Sequence, residues 1–179
     1  MNPIRPITAA ALTLVLALLA PSLAASATAR PASRSSVNGP ALGHSEQLWA
    51  TIDVCNPDDQ PDTVGIRGSM PGDGQPHDTM YMHFRLQYMS STAKRWVDLA
   101  SGAQTGFVAL GSAKVARQTG WSFRLASGQP MFELRGVVTF QWRHGATVVY
   151  SLSRPTTVGH HSLAGADPPS FSAAVCSVA

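Results

Sequence analysis

The sequence predicts an all-β protein, an antiparallel β-sandwich of about 7–9 strands. Three observations predict it. Apolar and polar residues alternate in short runs, and Gly, Pro and Asp separate the runs. No window beyond the N-terminal segment keeps an apolar stripe at the helical period. Finally, Cys55 and Cys176 are the only two cysteines in 179 residues. In an exported chain such a pair is most economically one disulfide, and the close C-x-x-C spacing of zinc sites is missing.

Residues 1–29 read as a signal peptide rather than part of the fold. "MNPIRPI" carries one positive charge, Arg5, and "ITAAALTLVLALLA" is an apolar run shorter than the roughly twenty residues a spanning helix needs. "PSLAASATA" then offers small-residue cleavage sites. The expected product is secreted and extracellular, with no membrane span after cleavage. Residues 30–45 have almost nothing to bury and read as a flexible leader. Residues 46–179 read as a single β-sandwich domain. The formal net charge is only +3 for the whole chain, which makes no case for nucleic acid as a partner.

The first strand is "QLWATIDVC", in which Leu48, Ala50, Ile52 and Val54 alternate with Trp49, Thr51 and Asp53. "NPDDQPD" breaks it. "TVGIRGSM" is the second run and "PGDGQPHD" ends it. "MYMHFRLQYM" puts Met80, Met82, Phe84, Leu86 and Tyr88 on one face and Tyr81, His83, Arg85 and Gln87 on the other. "RWVDL" and "GFVALG" are short segments. "GWSFRLA" places Trp121, Phe123 and Leu125 together. In "FELRGVVTFQWR", Phe132, Leu134, Val138, Phe140 and Trp142 oppose Glu133, Arg135, Thr139, Gln141 and Arg143. "HGA" makes a hairpin turn, where Gly145 supplies the positive φ. "TVVYSLS" returns with Val148, Tyr150 and Leu152 inward, and Pro155 stops it or sets it at an edge. "SFSAAVCSV" is the last run. The cysteines therefore clasp the first and last strands, and the pattern of true immunoglobulin domains, a bridge inside the sandwich with a Trp packed on it, is not met.

Chemistry is sparse. G-x-S-x-G, H-E-x-x-H and Gly-rich phosphate loops are absent, no cofactor is indicated, and only Glu46 and Glu133 represent glutamate. No catalytic residue is assigned. Two weak metal candidates are loops: Asp58, Asp59 and Asp62, with Asp73 as a fourth member, and His160, His161 and Asp167. Asp commonly starts turns, and adjacent histidines on an extended chain point to opposite sides. The stronger candidate is an anion-binding face of Arg85, Arg124, Arg135 and Arg143. All four fall on outward strand positions, and guanidinium groups fork onto carboxylate or phosphate.

Read as a set, "CNPDDQPDTVGIRGSMPG", "MYMHFRLQY", "RGVVTFQWRHGATVV" followed by "TTVGH", and "ADPPSFSAAVC" resemble a group of small exported actinobacterial proteins. The resemblance implies an immunoglobulin-like or fibronectin-like sandwich outside the cell, and it implies no activity. The expectation is a non-enzymatic extracellular module in binding or cell-envelope structure. Its partner would be an anionic cell-surface polymer or another extracellular protein. The alternative is a secreted hydrolase whose site gathers residues distant in sequence.

Overall fold

The computed structural model describes residues 39–100, 102–127, 132–160 and 164–178. The signal-peptide segment and His161 lie outside the described residues.

The described chain is an antiparallel β-sandwich. Its strands are β1 (Trp49–Cys55), β2 (Thr63–Met70), β3 (Asp78–Ser90), β4 (Arg95–Asp98), β5 (Val108–Ser112), β6 (Arg117–Arg124), β7 (Phe132–His144), β8 (Thr147–Pro155) and β9 (Cys176–Val178). One sheet has the order β1-β2-β6. The other has β4-β3-β7-β8, with β5 also pairing β3 and β9 also pairing β7. Cys55 and Cys176 are bonded, with Cα atoms 5.6 Å apart.

The alternation in the two longest strands sets the interior. Met80, Met82, Phe84 and Leu86 of β3 are fully buried, as are Val138, Phe140 and Trp142 of β7. Ile52, Val64, Ile66 and Met70 oppose them from the first sheet. At Gly68 the sheets approach too closely to leave room for a side chain. A Cβ on Gly68 would lie 2.9 Å from Met82 Sδ and 3.3 Å from Phe140 Cε1. The Trp142 indole N–H, buried with its ring, donates to the Pro71 carbonyl at 3.0 Å.

The β7–β8 hairpin pivots on Gly145, whose φ of 57° suits the two-residue loop between His144 and Thr147. A bulge follows immediately. Trp142 pairs with Tyr150 but Arg143 pairs with Val148, so the extra residue inverts the side-chain faces of the outer part of β8. Val148, expected inside, is therefore 45% exposed. Pro155 ends β8, which is an edge strand.

Three findings differ from expectation. Residues 39–43, expected to be leader, form a short helix, α1 (Gly39–Gly43). Leu42 is buried in the core, and Gly39 and Gly43 lie flat against Tyr150, where a Cβ would come within 2.7 and 2.8 Å of the ring or its hydroxyl. Trp121 shares a face with Phe123 but is 47% exposed, because β6 is the outermost strand of its sheet and little covers it.

The third concerns the β1 edge of the first sheet, which is not open to solvent. The segment between β8 and β9 folds back along the free edge of β1. Thr157 N donates to Ala50 O, Ile52 and Ala173 exchange two backbone bonds, and Asp167 N donates to Asp53 O. This satisfies the backbone groups that an edge strand would otherwise expose. The same segment buries Thr51, whose hydroxyl lies 2.8 Å from that of Ser172.

Candidate functional site

The outward positions of β3 and β7 form one continuous surface, because Tyr81 pairs with Gln141, His83 with Thr139, Arg85 with Val137 and Gln87 with Arg135. Period two keeps these residues on the outer side of the sheet, where all but the buried Val137 reach solvent, while their neighbours fill the core. Arg85, Arg135 and Arg143 all stand on this surface. Arg124 does not: it lies on β6, in the other sheet, and is exposed there. Outward position is a property of each strand alone. Sheet membership is not, so only three of the four arginines share a face.

Each of the three is held by defined partners. The Arg143 guanidinium carbon lies 4.2 Å from the Tyr81 ring centroid and 4.6 Å from that of Phe107. Its Nε and Nη2 both donate to Gln141 Oε1, at 2.8 and 2.6 Å. Arg135 lies 4.5 Å over the Trp96 ring and donates from Nε to Gln87 Oε1 at 2.9 Å. Gln87 in turn donates to Asp98 Oδ1 at 2.7 Å. The same carboxylate oxygen is 3.2 Å from Arg85 Nε, a charge contact without the alignment of a hydrogen bond. Among the described residues, neither Arg135 nor Arg143 is paired with a carboxylate. Asp98 and the exposed Glu133, two positions before Arg135 on β7, are thus two negative charges against three positive ones on this face.

The electrostatics reflect that excess. Burial, then the like charge of Arg85, pulls the Arg135 pKa below its ordinary value. His83, 5.4 Å from the Phe107 ring, is also held below the usual imidazole range, first by burial and then by Arg85. Its ring is therefore uncharged at neutral pH and offers a hydrogen-bonding group rather than a cation.

Sequence reasoning found the arginines but not the rings that hold them. Trp96 and Phe107 lie in segments too short to show a face. The readable signal was Tyr81 and Gln87, on the same outward alternation as Arg85.

The acidic and histidine loops are engaged elsewhere. Asp62 Oδ2 accepts from the Ser127 hydroxyl at 2.7 Å, while Asp58 and Asp59 are exposed. Asp73 lies beyond the far end of β2 from these three, so the four aspartates cannot form one set. His160 stacks on Trp49 at 4.3 Å, with Nε2 3.3 Å from Thr157 Oγ1. Asp167 Oδ2 accepts from Gln60 at 3.3 Å. Among the described residues, no three His, Cys, Asp or Glu side chains converge as metal ligands. No helix of the described residues is long and apolar enough to cross a membrane.

One carboxyl is poorly placed. Asp73 lines a cavity of about 330 Å³ with Leu42, Ser45, Gln47 and Pro71. One of its oxygens accepts from Gln75 N at 2.8 Å; the other is buried and unpartnered. Burial raises its pKa, and the neighbouring Asp78 carboxylate adds to this. Asp78 is itself bonded to His144 Nδ1 at 2.6 Å.

Asp73→Asn keeps the acceptor for Gln75 and supplies an N–H₂ facing Asp78. It is expected to stabilise the protein by about 1 kcal/mol at pH 7. The sign with pH follows from the raised pKa. The folded chain takes up the Asp73 proton before the unfolded chain does, so acidification stabilises wild type through that range. The advantage of Asp73→Asn should therefore shrink as pH falls toward 4. Denaturant titrations of both proteins from pH 7 to pH 4 check this, and a constant difference would contradict it.

No family model, curated protein or solved structure matches the chain.

Proposed function

We propose that this chain is a secreted, non-enzymatic binding module of the extracellular or cell-envelope space. Its binding face is the outer surface of β3 and β7, and its ligand is an anionic surface polymer. The observation that carries the reading is a set of three guanidiniums on one sheet face, Arg143 held by Tyr81, Phe107 and Gln141 and Arg135 by Trp96 and Gln87, with Asp98 the one carboxylate in contact with any of them among the described residues. Guanidiniums stacked on rings lose little further freedom when an anion arrives, which favours recognition.

The setting is supported by the Cys55–Cys176 disulfide, a bond that persists in oxidising compartments. The strand order also supports an immunoglobulin-like or fibronectin-like assignment. Lettered along the chain, β1-β2-β6 corresponds to A-B-E, and β4-β3-β7-β8 to C′-C-F-G. The sequence resemblance to exported actinobacterial proteins agrees with both.

The test is retention of wild type and an Arg135→Ala, Arg143→Ala double variant on immobilised polygalacturonate across a salt series. Wild type should be retained at low salt and released as salt rises, because exposed charges are screened over about 8 Å at physiological ionic strength. The double variant should elute near the void volume at every salt concentration. Equal retention of the two proteins overturns the reading. Shortening of the polymer during incubation would move the protein to the hydrolase class.

A further inference from the structure

The arginines on this face are not evenly spread. Arg135 and Arg143 lie on the same strand, eight positions apart, which at about 3.3 Å per residue separates them by about 25 Å. Arg85, paired with Val137, sits beside Arg135 on the neighbouring strand. The cations therefore form two loci, Arg143 over Tyr81 and Phe107 at one end, and Arg85 with Arg135 at the Trp96 end. The ground between them is uncharged but rich in hydrogen-bonding groups: Gln141, His83, and the Thr139 and Ser153 hydroxyls, which are 2.7 Å apart. This track runs along β7.

We infer that the face is a two-point receptor for an extended acidic polysaccharide lying along β7, its acid groups meeting Arg143 at one end and Arg85 with Arg135 at the other. The inference rests on the binding function proposed above and adds the ligand class and its mode of engagement. A polyphosphate brings no hydroxyls to the hydrogen-bonding middle. A sugar chain with acid groups set among hydroxyls fits both the ends and the middle. At the second locus Asp98 contacts Arg85, while no carboxylate among the described residues contacts Arg135, so an incoming carboxylate has the Arg135 guanidinium to meet. The spacing makes chain length decisive, since a ligand reaching both loci gains the second contact intramolecularly.

The experiment is calorimetric titration of the protein with galacturonate oligomers of increasing length, for wild type, Arg143→Gln and Arg135→Gln. Thermal unfolding verifies that both variants fold. Short oligomers should bind wild type weakly. Affinity should then step up by at least about tenfold once the chain spans both loci. Each variant should lose the step and bind long chains no better than short ones. A rise merely proportional to the number of sugar units per chain overturns the two-point mode while leaving an anion-binding face. An equal step with polyphosphate of matched length overturns the polysaccharide assignment. Absence of binding at every length, for every probe, overturns this inference together with the binding function.

Discussion

Replacing Cys176 with serine is expected to lower the free energy of unfolding by about 5 kcal/mol. The bridge joins residues separated by 121 positions. In the chain-entropy treatment, closing a loop of that length restricts the unfolded chain by about this amount. The native side adds to the argument. β9 spans only Cys176–Val178 and pairs with three residues of β7, Phe132 to Leu134. So few backbone bonds cannot anchor a strand against fraying, and the β8–β9 segment that covers β1 is tethered at this end by the disulfide. Denaturant unfolding of the wild type and of a Cys55→Ser, Cys176→Ser double variant, which leaves no free thiol, measures the effect. A loss below about 1 kcal/mol would show that backbone pairing alone secures the C-terminal strand. A changed denaturant slope would show that the covering segment unfolds separately.

Phe140→Ala is expected to cost about 3–5 kcal/mol. Phe140 is fully buried and faces Gly68 across the sandwich. The position of that glycine makes a sharper test. In wild type, Gly68→Ala should itself destabilise by about 1–3 kcal/mol, because the new methyl presses on Met82 Sδ and Phe140. In the Phe140→Ala background the pressure is relieved: the methyl and the displaced Met82 enter space the ring has vacated. The double variant should therefore lose clearly less than the sum of the two single losses, a coupling expected of residues in contact. Strict additivity in a double-mutant cycle would mean that the sheets separate at Gly68 rather than repack.

Much of the fold was legible because β3 and β7 are long and alternate cleanly. Their partner faces, and hence the positions of Arg85, Arg135 and Arg143, follow from the period. What was hidden depends on residues far away in the chain. Thr51, Asp53, Thr63 and Ser69 are polar yet buried. Alternation reads them as solvated, but the β8–β9 segment covers β1, and Arg67 Nε pairs with Asp53 at 2.8 Å. Burial still raises the Asp53 pKa against the pull of that guanidinium. Arg124 was misgrouped because strand order is settled by the crossings between sheets, which no local pattern encodes. α1 is a helix of 5 residues, too short for a periodic stripe. Its usable clue was the glycine pair Gly39 and Gly43, spaced to seat one aromatic ring.

The strap across β1 also has a consequence for the order in which the molecule is made. A chain grows and emerges N-terminus first, so β1 exists long before residues 157–173 that complete its hydrogen bonding. Until the last part of the chain arrives, one whole side of β1 is a vacant template for any extended strand nearby. Cys55, at the end of the same strand, likewise waits for a partner near the C-terminus. The vulnerable interval therefore lasts through most of synthesis, and it ends when the covering segment lies down and the bridge forms.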